Sequence, residues 1–137
     1  MIGTLSPEML NAFLETIPIE FSFVDKNDKV VAWNKHHTRL FRRFPGTIGK
    51  DVRNCHPKKS LALVEKILAE MKAGMRDKAQ FWIDLHLDGH QEPQKILIEY
   101  YALRDEAGNY LGCLEATQNI TELQGLTGEK RLLDEAP

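Results

Sequence analysis

The side chains that could bind a metal or carry redox chemistry are few and widely spaced in this sequence. The chain has five histidines and two cysteines among 137 residues. Cys55 and His56 are adjacent, whereas Cys113 stands far from both. His36 and His37 are neighbours on a predicted helix, where adjacent side chains diverge by about 100° and cannot chelate one ion together. Cys55 and His56 are therefore the residues with the clearest chemical potential.

A second histidine pair, His86 and His90, flanks a predicted turn. With Asp84 or Asp88 the pair could hold a metal, or it could lie solvated at the end of a strand. Its spacing matches no zinc rule, so we predict no metal site. The sequence also lacks an H-E-x-x-H, G-x-S-x-G, P-loop or kinase motif, and we predict that the chain is not an enzyme.

Composition limits the possible binding partners and the cellular compartment of the protein. Hydrophobic residues make up 42% of the chain, and 18 Lys and Arg face 20 Asp and Glu, for a net charge of −2. This predicts one globular domain that binds no nucleic acid, because nucleic acids require a clustered basic face. No apolar run is long enough to span a membrane, and no signal peptide is evident. Two cysteines are typical of a reduced, cytoplasmic protein.

The N-terminal residues predict an amphipathic helix over residues 1–18. Ser6 is a suitable N-cap, Pro7 suits the first helical position, and Pro18 ends the helix. Since so short a helix is marginal alone, its apolar stripe must pack on the domain or on a second copy of the chain. The stripe consists of Met9, Leu10, Phe13, Leu14 and Ile17.

Hydrophobic periodicity predicts the remaining elements. Strands are expected at 20–25, 29–33, 78–87, 95–104 and 110–118, and helices at 35–44, 57–73 and 120–133. Asn34 is placed to cap the helix over 35–44, and residues 47–56 are expected to form single helical turns. Gly125 and Gly128 weaken the last helix by about 1 kcal/mol each. We therefore predict an α+β domain with a five-stranded antiparallel sheet, a core at 19–119 and a helical tail at 120–137.

Four local motifs, in the right order, resemble the PAS domain. The first is the hairpin Phe23-Val24-Asp25-Lys26-Asn27-Asp28-Lys29-Val30 followed by Trp33-Asn34, and the second is Ile48-Gly49-Lys50. The third runs from Arg104 to Gly112 and is similar to the "RDEEGNYLG" turn, and the fourth is Asn119-Ile120-Thr121-Glu122. The resemblance covers residues 8–133. It implies the PAS fold, with helices on one face of the sheet, an N-terminal flanking helix and a C-terminal helix.

A narrower resemblance comes from 54–60 and 128–133, which are similar to the PAS module that closes certain prokaryotic proteins of unknown function, often with a hemerythrin-like domain upstream. The resemblance implies a sensory and signal-transduction module. Such a module binds a small molecule or cofactor in its core and passes the change through flanking helices to a second copy or to another signalling domain. It leaves open a stand-alone sensor or one domain of a larger protein, and also a purely structural module.

PAS domains that carry flavin or haem suggest two cofactors. Arg53-Asn54-Cys55 resembles the "RNC" of flavin photoreceptors, but His56-Pro57 departs from their continuation and Thr117 stands where they place Gln, so flavin is not expected. A haem- or metal-binding redox sensor using His56 or His37 is the alternative function. Equally, His56 could cap the following helix while Cys55 packs as a small apolar residue.

The resemblance also implies a pocket between the sheet and its helices. The pocket could equally be filled by interdigitating side chains, because protein interiors pack densely. The candidate pocket residues are Trp33, His37, Phe41, Cys55, His56, Leu61, Val64, Phe81, Ile83, Ile98, Tyr100 and Cys113. The candidate dimer interface is the N-terminal stripe of Met9, Leu10, Phe13, Leu14 and Ile17.

Overall fold

The structure is a computed structural model that describes residues 1–35 and 40–133. Neither α-helix of these residues combines the length and the apolar character that crossing a bilayer requires. Its α-helices are α1 (Pro7–Thr16) and α2 (Lys58–Lys72). Its strands are β1 (Glu20–Asp25), β2 (Val30–Trp33), β3 (Lys78–Leu85), β4 (Gln94–Arg104) and β5 (Tyr110–Asn119). Single 3₁₀ turns occur at Pro45–Thr47, Val52–Cys55 and Leu123–Gly125.

The five strands form one antiparallel sheet in the order β2-β1-β5-β4-β3, which confirms the predicted sheet. The register places Tyr100 of β4 opposite Ala79 of β3 and Glu115 of β5, and Glu115 opposite Ser22 of β1. Because successive strand residues point to opposite faces, all four side chains share one face. This face is the one that α2 covers.

The core lies between α2 and this face of the sheet. It consists of Val30, Val52, Leu68, Met71 and Cys113. Helix α1 lies on the other face, where the rings of Phe13 and Phe21 have centroids 6.4 Å apart. The two helices therefore contact opposite faces of the sheet.

Asn34 joins α1 to the sheet. Its side-chain amide donates to the carbonyls of Leu14 and Ile19, both at 2.7 Å, and its Oδ1 accepts from the backbone N–H of Phe21 at 2.8 Å. Asn34 is itself buried. All three bonds depend on residues far away along the chain, and sequence reasoning that looked only at the following residues missed them.

The helix predicted over 35–44 is wrong for the residues that can be compared. Residues 36–39, including His37, lie outside the described residues, but Lys35 and residues 40–44 are not helical. The backbone N–H groups of Leu40 and Phe41 donate to the carboxylate of Glu20, at 2.6 and 3.0 Å. These amides thus bond to a side chain of β1.

The helix predicted over 120–133 is also wrong. The only helical residues there, as far as position 133, form the 3₁₀ turn Leu123–Gly125. Gly128 adopts a left-handed φ of 62°, and the leucines that would have formed an apolar stripe, Leu126, Leu132 and Leu133, are exposed. Without a surface to pack on, so short a segment does not gain enough to hold a helix.

Candidate functional site

A small cavity lies between α2 and the sheet, where the resemblance predicted a pocket. Its volume is about 20 Å³, which is close to the space that one water molecule needs. The lining residues are Val24, Val52, His56, Val64, Ile67, Leu68, Tyr100, Cys113 and Glu115. The described conformation therefore leaves only a small space between α2 and the sheet at this place.

The walls of this cavity are apolar because the apolar face of α2 packs there against apolar residues of the sheet. On α2, Val64, Ile67 and Leu68 recur at helical spacing and point to the sheet. On the sheet, Val24 of β1 lies opposite Cys113 of β5. A ligand in this part of the cavity would be in contact with aliphatic carbon.

His56 and Tyr100 form the polar end of the cavity. The Nδ1 atom of His56 lies 3.0 Å from the carbonyl oxygen of Val52. Because a carbonyl can only accept, Nδ1 carries the proton in this bond, and Nε2 is left as an acceptor in the neutral ring. Nε2 lies 3.5 Å from the Tyr100 hydroxyl, a long distance for a hydrogen bond. This contact is weak enough for a ligand to replace it.

The His56 ring does not cap α2, contrary to one of the two sequence interpretations. The N-cap of α2 is Pro57, which offers no side-chain hydrogen bond, and the His56 ring instead bonds back to Val52. Cys55 packs against the core cluster, as the same interpretation predicted.

Glu115 brings a carboxylate to the cavity. It forms an ion pair with Arg43 at 3.3 Å, and both side chains are largely buried, with exposed fractions of 13% and 15%. Burial, followed by the charge of Glu115, raises the pKa of the Tyr100 hydroxyl above its usual range. Tyr100 therefore stays protonated at neutral pH and can donate a hydrogen bond.

The Cys113 thiol is unreactive in this setting. Burial, followed by the charge of Glu115, raises its pKa to about 12. Since the thiolate is the nucleophile, the protonated thiol acts as a small apolar wall residue.

The structure brings four of the twelve candidate pocket residues to the cavity: His56, Val64, Tyr100 and Cys113. Phe81 of β3 does not line the cavity but lies beside Tyr100, with the centroids of the two rings 5.6 Å apart. Ile83 and Ile98 share the cavity face of the sheet without lining the cavity, and Trp33 and Cys55 pack against the core. Leu61 and Phe41 are half-buried outside it, and His37 lies outside the described residues.

Five lining residues were missed in the sequence: Val24, Val52, Ile67, Leu68 and Glu115. A signal for Glu115 did exist. Once Cys113 is assigned to the inner face, the period of two places Glu115 and Thr117 on that face as well. Val52 had no such signal, because a single 3₁₀ turn has no face that periodicity can identify.

The cavity does not fit a haem or a flavin. Either group is far larger than 20 Å³, so α2 would have to move away from the sheet before His56 could contact it. In the part of the chain that the structure describes, no three His, Cys, Asp or Glu side chains gather as the ligands of a metal ion would.

The N-terminal stripe is divided between the sheet and the surface. Leu14 and Ile17 are half-buried, and Phe13 contacts Phe21 of β1. Met9 and Leu10 remain about half exposed, at 58% and 47%. The stripe thus packs partly on its own sheet and leaves an apolar edge outside.

Known structures share this architecture. The chain is 32% identical to a C-terminal domain from Streptococcus mutans, with a TM-score of 0.79 over 90% of this chain and 92% of that one. It is 17% identical to the PAS domain of Bordetella pertussis BvgS, with a TM-score of 0.60 over 85% and 90%. It is 19% identical to a Vibrio cholerae VqmA dimer, with a TM-score of 0.60 over 87% of this chain and 54% of that one. Among curated proteins, none matches the chain.

The sequence profile of the PAS domain family matches residues 10–121. This range contains all five strands, α2 and every residue that lines the cavity. The order of the strands, the helix over the inner face and the sequence match agree. The chain belongs to the PAS domain family.

Proposed function

We propose that this chain is a non-catalytic sensory module that binds a small molecule in the cavity under α2. The observation that carries the proposal is the cavity itself, which has aliphatic walls and a polar end formed by His56, Tyr100 and Glu115. Family membership supports the sensory role. The narrower resemblance to modules associated with hemerythrin-like domains stays a prediction.

The lining residues favour a small neutral ligand with an apolar body and one hydroxyl or carbonyl group. A hydroxyl could donate to Nε2 of His56 and accept from the Tyr100 hydroxyl, replacing their 3.5 Å contact. A carboxylate would be disfavoured by Glu115, whose charge already has one buried partner in Arg43. Because the space is small, binding requires the first turns of α2 to move outward.

Helix α1 is the element proposed to pass the change on. Asn34 ties α1 to β1, and Val24 of β1 lines the cavity. A displacement of β1 would therefore reach α1 through direct contacts. Met9 and Leu10 leave an apolar edge for a second copy of the chain or another signalling domain, so the dimer remains a proposal.

Ligand binding can be tested by titrating the ¹⁵N-labelled chain with 1-butanol and, separately, with butyrate. We expect saturable amide shifts in residues 58–64 and near Tyr100 with butanol, and much weaker shifts with butyrate. The variant Val64→Phe fills the cavity and should abolish the butanol shifts. Leu63→Phe adds the same ring at an exposed neighbouring position and should retain them.

Shifts that never saturate, or that persist unchanged in Val64→Phe, would rule out this cavity as the ligand site. An absorption spectrum of the freshly purified chain tests the haem alternative independently. A strong band near the blue edge of the visible range that disappears in His56→Ala would favour haem over a neutral ligand.

The dimer can be tested by measuring the solution mass. We expect a dimer that dissociates more readily when Met9 and Leu10 are both replaced by Ser. Replacing Leu63 and Met75, two exposed apolar residues elsewhere, serves as the control. A monomer at all concentrations would remove the second copy as the proposed partner.

A further inference from the structure

Asp28, at the turn between β1 and β2, is buried in an unusual way. Only 4% of its surface is exposed, although it lies at the tip of a hairpin. Its φ is 63°, a left-handed value that Asp and Asn tolerate better than most residues. Its Oδ2 atom accepts from Lys72 Nζ at 2.6 Å and from Arg53 Nη1 at 3.1 Å. The carboxylate therefore joins the hairpin to the last turn of α2 and to the turn before α2.

The other oxygen of this carboxylate is buried without a partner. Asp28 Oδ1 and the hydroxyl of Tyr110 are the two side-chain polar atoms among the described residues that are buried and form no hydrogen bond. Leaving a buried polar group unsatisfied costs about 1–3 kcal/mol. Two such atoms, one an acceptor and the other able to donate, indicate an unassigned site.

Tyr110 lies at the same end of the core as Asp28. Arg104 stacks over its ring, 5.7 Å from the ring centroid, and donates to the carbonyl of Met71 at 2.6 Å. Met71 and Lys72 are the last residues but one and the last of α2, so the side chains of Asp28 and Tyr110 lie near the same helix end. Burial raises the pKa of Tyr110 to about 12, with a smaller contribution from the charge of Asp28. The phenol therefore remains protonated.

We propose that one internal water molecule links Asp28 Oδ1 to the Tyr110 hydroxyl and completes a clamp on the C-terminal end of α2. The water donates one hydrogen to Asp28 Oδ1. Its oxygen accepts a hydrogen bond from the Tyr110 hydroxyl. Buried water typically satisfies polar groups that the chain cannot pair directly.

The charges around the site select water over an ion. A cation bound at Oδ1 would face Lys72 and Arg53, which already neutralise the carboxylate. An anion would face the carboxylate oxygen itself. A small neutral molecule that both donates and accepts is the one class that suits both atoms.

A high-resolution crystal structure of the unmodified chain tests the proposal directly. We expect one ordered water within hydrogen-bonding distance of both Asp28 Oδ1 and the Tyr110 hydroxyl. A direct bond between the two groups, or well-ordered density with no water between them, would overturn the proposal.

Thermal unfolding gives a second test, in which the sign of the change in Tm decides the outcome. If water pairs the phenol, Tyr110→Phe should lower the Tm by about 3 °C, because it breaks hydrogen bonds and leaves Asp28 unsatisfied. If the hydroxyl has no partner, removing it should leave the Tm unchanged or raise it, which contradicts the proposal. Phe keeps the ring under Arg104, so packing is preserved.

Combining Tyr110→Phe with Asp28→Asn in one chain tests whether the two side chains bind the same water. Asn keeps the size of the side chain and tolerates the left-handed backbone, so the fold should survive. We expect the shifts of Tyr110→Phe and Asp28→Asn to be non-additive. Tyr101→Phe is the matched control, because Tyr101 interacts with Glu99 and Lys78 on the opposite face and its shift should add to that of Asp28→Asn. Additive shifts for Tyr110 as well would refute the bridge.

Discussion

The two ends of α2 are held in very different ways. At the C-terminal end, Met71 is fully buried, Lys72 pairs with Asp28, and Arg104 bonds to the Met71 carbonyl. At the N-terminal end, Pro57 provides no side-chain cap, and His56 contacts Tyr100 only at 3.5 Å. The cavity lies under the middle of the helix, at Val64, Ile67 and Leu68, between the loosely held and the anchored end.

This difference indicates where the domain can move. Regions with few buried apolar contacts open at lower free energy than well-packed regions of the same fold. On the stripe of α2 that faces the sheet, Leu61 in the first turn is half-buried, whereas Leu68 is 5% exposed. We therefore expect ligand entry to displace the first turns of α2 while the last turn stays fixed to the sheet.

The largest expected effect comes from removing the anchor side chain. Met71→Ala should lower the free energy of unfolding by about 3 kcal/mol, because it leaves a cavity in the core. Leu63→Ala on the same helix should change it by less than about 0.5 kcal/mol. Urea denaturation measures both variants. Equal losses at the two positions would contradict the role of Met71 as the anchor of α2.

A smaller effect is expected at the ion pair of the last turn. Lys72→Met should lower the free energy of unfolding by about 1 kcal/mol, since the buried Asp28 carboxylate would lose one of the two cationic partners it has among the described residues. Lys66→Met is the matched control, because Lys66 forms a longer, exposed pair with Glu70 at 3.8 Å. Hydrogen exchange should show faster opening of residues 68–72 in Lys72→Met alone; a similar change in Lys66→Met would argue against a specific clamp.

The smallest expected effect is a pH dependence of the turn that precedes α2. The pKa of Asp51 is lowered below its ordinary 3.8, chiefly because its carboxylate accepts a hydrogen bond from the backbone N–H of Arg53. Burial opposes this shift, and the Arg53 guanidinium adds to it. The stabilisation by Asp51 is therefore complete above pH 3.8 and is lost as the pH falls through the lower, folded-state pKa. The amide signal of Arg53 should shift in that acidic window.

Asp51→Asn should remove this transition, since Asn does not titrate. If the Arg53 signal of the variant shifts as in the unmodified chain, another group is responsible. Helix residues 68–72 should show a smaller matching transition, because Arg53 bonds to both Asp51 and Asp28, and Asp28 pairs with Lys72.

The elements with strong local signals were predicted well. Strand β3 alternates apolar and polar residues, and Ser6 accepts from the N–H of Met9 at 3.1 Å as an N-cap should. The predicted helices failed at residues 40–44 and over 120–133, for different reasons. In the first, Glu20 binds the backbone amides of Leu40 and Phe41, and in the second, no surface covers the apolar residues.

The candidate site was predicted in part for the same reason. Tyr100, Cys113 and Val64 lie on regular elements, so periodicity could identify their inner faces. Glu115, Asn34 and Asp28 were not recognised, because polar residues in such elements suggest exposure. Each is buried by partners that are distant in sequence.

The sequence by itself determined which segments become strands or helices with strong periodicity, because apolar side chains at a fixed spacing must face a common core. Only the tertiary structure decided how large the cavity is, which polar groups border it and which end of α2 is anchored. These depend on contacts such as Lys72 with Asp28, 44 positions away, and Arg43 with Glu115, 72 positions away. Local spacing carries no information about such pairs until the sheet register brings them together.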